Sequence, residues 1–127
     1  MKPQTQKKLD DIFSKYVRLK HRTDSGMIMC FVCGKFHSYS HTVLGHFRKR
    51  RHLATRYNED NCHPLCFNCN QEDEESTANY DFAMLNAYSL EKLTEIIDLS
   101  NSEVHISESE ALTLIEEYKD KIKGLDK

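Results

Sequence analysis

Between Gln4 and about His21, apolar residues return every three or four positions: Leu9, Ile12, Phe13, Tyr16, Val17 and Leu19. That spacing gathers them on one side of an α-helix. The remaining face carries Lys7, Lys8, Lys15, Arg18 and Lys20, so the pattern predicts a basic amphipathic helix, ended by the turn residues Thr23-Asp24-Ser25-Gly26. Met27 to Val32 is a short apolar run that predicts an extended lead into whatever follows. Residues 36–47 are aromatic and β-branched with several histidines, which predicts a hairpin whose second strand ends near His46. A basic loop runs on to Arg56, and Asn58-Glu59-Asp60-Asn61 is turn chemistry. Pro64 keeps the next stretch out of helix, and a helix is expected to begin near Cys66–Cys69.

Beyond the acidic run Glu72–Glu75 the period is helical again. One helix is predicted from about Ser76 to Tyr88, burying Tyr80, Phe82/Ala83, Leu85 and Tyr88. A second follows Ser89 and uses Leu90, Leu93, Ile96 and Ile97. A third opens on the capping box Ser107-x-x-Glu110 and turns Leu112, Ile115, Tyr118 and Ile122 inward. The pattern gives an α+β chain in three parts: a basic helix (1–26), a core (27–88) and an acidic helical extension (89–127).

Charge sharpens this division. Net charge is −2 over 127 residues, but residues 1–56 hold 13 Lys/Arg against 3 Asp/Glu, a net of +10. Residues 57–127 hold 5 against 17, a net of −12. The basic half suits a polyanionic partner, and the acidic half is expected to stand away from it as scaffold or protein-binding surface. No apolar run approaches the ~18 residues of a membrane span, and no signal-peptide pattern opens the chain. A cytoplasmic protein with no membrane partner is expected, in a compartment where paired cysteines more often hold metal than form disulfides.

Two Cys-x-x-Cys pairs, Cys30/Cys33 and Cys66/Cys69, supply the first specific chemistry. Four thiolates from two knuckles suit a tetrahedral zinc ion. A zinc closed by four cysteines has no position left for substrate, so this metal is structural and any reaction needs other residues. The fifth cysteine, Cys62, belongs to neither knuckle and reads as a small apolar residue.

Of seven histidines, His21, His52 and His105 read as bystanders. His46 differs, because it lies between the knuckles, preceded by Gly45 and followed by Phe47. Hydrolysis of a phosphodiester needs a base to activate water and a cation to neutralise charge growing on the phosphate. A histidine near neutrality serves as the base. The side-chain oxygen of Asn70, immediately after the last cysteine, suits Mg²⁺.

The runs Gly45-His46-Phe47, Ala54-Thr55-Arg56-Tyr57-Asn58-Glu59-Asp60-Asn61-Cys62-His63 and Cys66-Phe67-Asn68-Cys69-Asn70 resemble a zinc-stapled HNH (His-Me finger, ββα-metal) nuclease. They are similar in particular to the phage NinG/Rap recombination endonucleases, and the arrangement of knuckles is like that of phage endonuclease VII. The resemblance covers roughly residues 28–88 and implies cleavage of branched DNA such as Holliday junctions and D-loops. It implies His46 as general base, Asn61 as the residue that braces the loop and orients the histidine, and Asn70 as a ligand of a catalytic Mg²⁺ or Mn²⁺ from the first turn of a helix. Arg48, Lys49, Arg50, Arg51 and Arg56 would contact DNA phosphates. Many HNH nucleases carry an acidic metal ligand where this chain has Gly45. Asn70 is then the sole strong protein ligand, or His41, His37, Glu59 or Asp60 assists, with His41 ranked first. Junction cleavage needs two sites facing two strands, so a homodimer is expected, joined through the apolar faces of the C-terminal helices. Recombination proteins are its expected protein partners. Two other readings fit parts of the pattern: a non-catalytic zinc module that holds nucleic acid or protein, and a nonspecific or restriction-type HNH nuclease.

Overall fold

The computed structural model describes residues 1–125. Among them are five helices and two two-stranded sheets, a mixed α+β architecture. Helix α1 (Pro3–Lys20) starts with proline at its first position, where the missing N–H costs no bond. It buries Leu9, Phe13 and Val17 along one stripe. They meet Ala111, Ile115 and Tyr118 of α5 (Glu108–Leu125), with Cys62 in the same cluster. Burial of each large side chain contributes about 2 kcal/mol. The exposed Lys7–Asp11 pair adds well under 1 kcal/mol, so apolar contact docks the helix. One arm of the expected capping box is formed, the Glu110 N–H donating to Ser107 Oγ at 3.1 Å, and the Ser107 hydroxyl in turn donates to the Glu110 carboxylate at 3.1 Å.

The strands pair differently from the predicted hairpin. Strand β1 (Ile28–Met29) pairs with β2 (Phe36–His37), because the first knuckle folds the chain back on itself. Gly34 permits that turn with φ +74°. A 3₁₀ turn at Tyr39–His41 then separates β2 from β3 (Thr42–His46), which pairs antiparallel with β4 (Cys62–Cys66). All five residues of β4 are buried. Pro64 has no N–H for the ladder, and its carbonyl accepts from Phe31 N–H at 2.9 Å, tying the first knuckle to β4. The guanidinium of Arg18 clamps the start of β3 to α1 through the carbonyls of Thr42 (2.8 Å) and Tyr39 (3.3 Å).

The loop between β3 and β4 carries the short helix α2 (Leu53–Arg56) and a 3₁₀ turn at Glu59–Asn61. The helix expected at Cys66–Cys69 begins later: α3 spans Glu74–Ala87, capped by Asp73, whose carboxylate accepts from the Ser76 N–H at 2.7 Å. Residues 67–70 form turns instead, since the second knuckle needs its backbone folded around its sulfurs. Tyr80 and Met84 face the core from α3, whereas Phe82 and Leu85, expected inside, are 65% and 51% exposed. Helix α4 (Leu90–Ser100) buries Leu93 and Ile96 against this second cluster, and Leu90 faces solvent. No helix among the described residues is long and apolar enough to cross a membrane.

Candidate active site

The sulfur atoms of Cys30, Cys33, Cys66 and Cys69 all lie within 4.8 Å of one another, with Cys33 and Cys66 Sγ 3.9 Å apart. Sulfurs bound to one tetrahedral zinc stand about 3.8 Å from each other, so the four cysteines fit a structural metal such as zinc. Burial opposes ionisation of Cys30, but backbone hydrogen bonds from Cys33, Cys66 and Val32 outweigh it and hold that thiol below its ordinary pKa. Each knuckle is closed by a bond to a carbonyl four residues back, Gly34 N–H to Cys30 (3.0 Å) and Asn70 N–H to Cys66 (3.1 Å). Asn70 thus holds in the second knuckle the place of Gly34 in the first. The knuckle fixes it, not a helix turn.

His46 ends β3 opposite Cys62. Its Nε2 lies 3.0 Å from the carbonyl oxygen of Arg56. A carbonyl only accepts, so the neutral ring carries its proton on Nε2 and keeps the Nδ1 lone pair. Burial, the largest influence, drives the imidazole down to a pKa of about 4; Arg50 and Arg56 add to this, while the bond to Arg56 opposes it. At neutral pH the ring is uncharged.

The loop that presents the Arg56 carbonyl is braced from two sides. Asn61 is fully buried. Its Oδ1 accepts from the Arg48 N–H at 2.7 Å, and its Nδ2 donates to the carbonyls of Arg48 and Thr55, both at 3.1 Å. The C-terminus of α4 grips the same loop, for Arg48 Nε donates to Ser100 Oγ (2.8 Å) and His52 Nδ1 to the Ser100 carbonyl (3.0 Å). His52, expected to be idle, is a tether.

A cavity of about 390 Å³ opens beside His46 between α1, the basic loop, the second knuckle and α3. His46, Lys49, Arg50 and Asn70 line it, and so do the carboxylates Asp10, Asp11, Glu72 and Asp81. Oxygen donors of this kind suit Mg²⁺ or Mn²⁺. Asp10 is not free among them. Its Oδ1 accepts from Arg56 Nε (2.9 Å) and the Tyr57 hydroxyl (2.7 Å), and its Oδ2 from Arg56 Nη2 (2.6 Å). Burial pushes its carboxyl up, but the bonds from Arg56 and Tyr57 prevail and hold it below the usual range.

Gly45 has a steric reason. A Cβ there would lie 2.7 Å from Leu65 Cγ and 3.1 Å from Tyr80 Cε2. The Tyr80 hydroxyl donates to the Gly45 carbonyl at 3.1 Å. Having one proton, it must accept from His63 Nδ1 (2.9 Å), so His63 Nε2 accepts from Tyr88 (2.8 Å). This chain of bonds pins the backbone just before His46 to α3. Burial lowers the His63 pKa to about 4 and keeps it neutral within the chain.

The cavity therefore brings together His46, Asn70, Lys49 and Arg50, while Asn61 stands behind it as a brace. His41 lies in the 3₁₀ turn before β3, beyond the end of the strand opposite His46, and is bonded to Ser38 Oγ at 2.6 Å. Neither it nor His37 lines the cavity. Glu59 pairs with Lys20 and Asp60 with Lys92, also outside it. Arg51 is exposed. Arg48 is bound to Ser100, and the guanidinium of Arg56, 14% exposed, is committed to Asp10 and to the Arg50 carbonyl. Sequence reasoning missed Asp10, Asp11, Glu72 and Asp81. The available signal was that Asp10-Asp11 are the only acids in a helix with five Lys/Arg.

No curated protein and no solved structure is significantly similar to this chain. The family described as "Bacteriophage Lambda NinG protein" matches residues 1–127, well beyond the knuckles and the cavity. A four-cysteine metal site, a neutral histidine at a strand end and a match over the whole length thus agree, and the chain belongs to the bacteriophage lambda NinG family of phage recombination proteins.

Proposed function

We propose that this protein is a divalent-metal-dependent DNA endonuclease that cuts branched DNA, such as Holliday junctions and D-loops, during phage recombination. The observation that carries the reading is the shared cavity of His46 and Asn70, with His46 neutral and its Nε2 bound to the Arg56 carbonyl. His46 Nδ1 takes a proton from water, and the water oxygen forms a bond to phosphorus. The bond from phosphorus to the 3′-oxygen breaks, and the leaving oxygen takes a proton from solvent, giving a 5′-phosphate and a 3′-hydroxyl. Lys49 and Arg50 hold the flanking phosphates and read no sequence. Asn70, with a carboxylate from Asp11, Glu72 or Asp81, would hold a Mg²⁺ or Mn²⁺ ion, which when bound neutralises charge on the phosphate and leaving oxygen. Two copies, one for each strand, form the working unit.

The decisive experiment incubates purified protein with four-way, flap and linear duplex DNA, in Mg²⁺, Mn²⁺ or EDTA, beside His46→Ala and Asn70→Ala. Cation-dependent junction cutting is expected, with each variant slower by roughly 100-fold or more. No cation-dependent cutting of any substrate overturns the enzyme reading and leaves a zinc module that binds DNA. Equal cutting of linear duplex removes the preference for branched DNA.

A further inference from the structure

We infer that Asp10 of α1 is a positioning residue for His46, acting through the Arg56–Tyr57 peptide, and that it is not a ligand of the divalent cation. The role rests on the nuclease reading above; the geometry does not. The carbonyl that accepts from His46 Nε2 belongs to the peptide joining Arg56 to Tyr57. Both side chains flanking that peptide end on one carboxylate. Arg56 reaches Asp10 by two bonds, 2.9 and 2.6 Å, and Tyr57 by one of 2.7 Å. A planar guanidinium gripped at two nitrogens cannot swing, and the hydroxyl on the other side removes the remaining rotation. Arg56 also donates to the Arg50 carbonyl at 3.1 Å, so the same grip shapes the basic loop.

Asp10 lines the cavity and would be the first carboxylate suspected of binding the cation. Its oxygens already accept three hydrogen bonds, two of them from the charged Arg56 guanidinium. Moving it to a cation would strip a half-buried guanidinium of its partner. Asp11, Glu72 and Asp81 have no such commitment: Asp11 makes only the exposed pair with Lys7, and Glu72 and Asp81 have no hydrogen-bond or ion-pair partner among the described residues.

The test compares zinc-loaded wild type with Asp10→Asn, Tyr57→Phe and Asp11→Asn. The first readout is the ring N–H proton of His46 in NMR spectra, which the Arg56 carbonyl shields from exchange with water. The buried N–H of His63, bonded to Tyr80 in the other core cluster, is the internal reference. Asp10→Asn is expected to speed exchange at His46 at least tenfold and leave His63 unchanged. Tyr57→Phe gives a smaller effect in the same direction, and Asp11→Asn none. In cleavage assays Asp10→Asn lowers kcat about tenfold or more with KM within about twofold, as loss of alignment requires. The cation concentration for half-maximal rate is unchanged.

Unchanged exchange at His46 in Asp10→Asn overturns the inference, as does equal acceleration at His46 and His63, which would mean general loosening. A large rise in the cation requirement reassigns Asp10 as a ligand. If Asp10→Asn does not fold, Tyr57→Phe decides, and unchanged exchange there overturns the inference. Should the wild type cut no DNA, the nuclease reading falls, and the exchange measurement still judges the positioning.

Discussion

His46 is a weak base by its surroundings, and this sets a measurable limit. With a pKa lowered to about 4 by burial, it is free of its proton throughout the neutral range. A cleavage rate limited by its protonation is expected to fall as pH drops through about 4. An ordinary histidine would give that limb near 6.5. A pH–rate profile at saturating cation decides between them. Gly45 makes the second residue-scale prediction. Placing there the acid that many HNH nucleases carry, by Gly45→Asp, drives a side chain into Leu65 and Tyr80. It is expected to cost about 1–3 kcal/mol in urea unfolding, the range for overpacking, and to reduce activity. The four clustered cysteines were legible in the sequence because their spacing alone carries their chemistry. Asp10 was not, since its bond to Arg56 spans 46 positions that no local pattern encodes.

At the scale of elements, helices were read well and strands poorly, for one physical cause. Strand β4 is buried at every position, so it lacks the alternation that marks a half-exposed strand, and Pro64 disguised it further. The 36–47 hairpin was therefore assigned within one segment, whereas β3 takes its partner from sixteen or more residues downstream. The second knuckle lines the cavity through Cys69 and Asn70, so a metal held by the knuckles would fix that wall. Stripping zinc with a chelator is expected to release one ion per chain, to lower the thermal midpoint by roughly 10 °C or more, and to abolish cleavage even with excess Mg²⁺. Calorimetry with parallel metal analysis checks this. A chain that keeps its melting point without zinc would contradict it.

Across the whole molecule, the basic helix and the acidic extension, separate in sequence, meet through α1 and α5. Phe13 and Tyr16 both contact the ring of Tyr118, at centroid distances of 5.2 and 5.5 Å. What the sequence did not yield is the face left over. Phe82 and Leu85, three residues apart on the outer side of α3, stand 65% and 51% exposed. The two-copy working unit proposed above is tested separately, by stoichiometry. Sedimentation in the presence of a four-way junction is expected to give two chains per junction. One chain per junction for the wild type removes the dimer.

The embrace of α1 by α5 also orders events in time. The wall of the cavity that contains Asp10 and Asp11 is made within the first twenty residues. The stripe behind it is covered by residues that follow about a hundred positions later. In synthesis α1 emerges first and the strands and knuckles follow, so Leu9, Phe13 and Val17 have only Cys62, Leu44 and Tyr57 to cover them until Ala111, Ile115 and Tyr118 leave the ribosome. A chain interrupted before α5 would carry its histidine and its knuckles but not a seated wall. The cavity is walled on every side only after the closing helix has arrived.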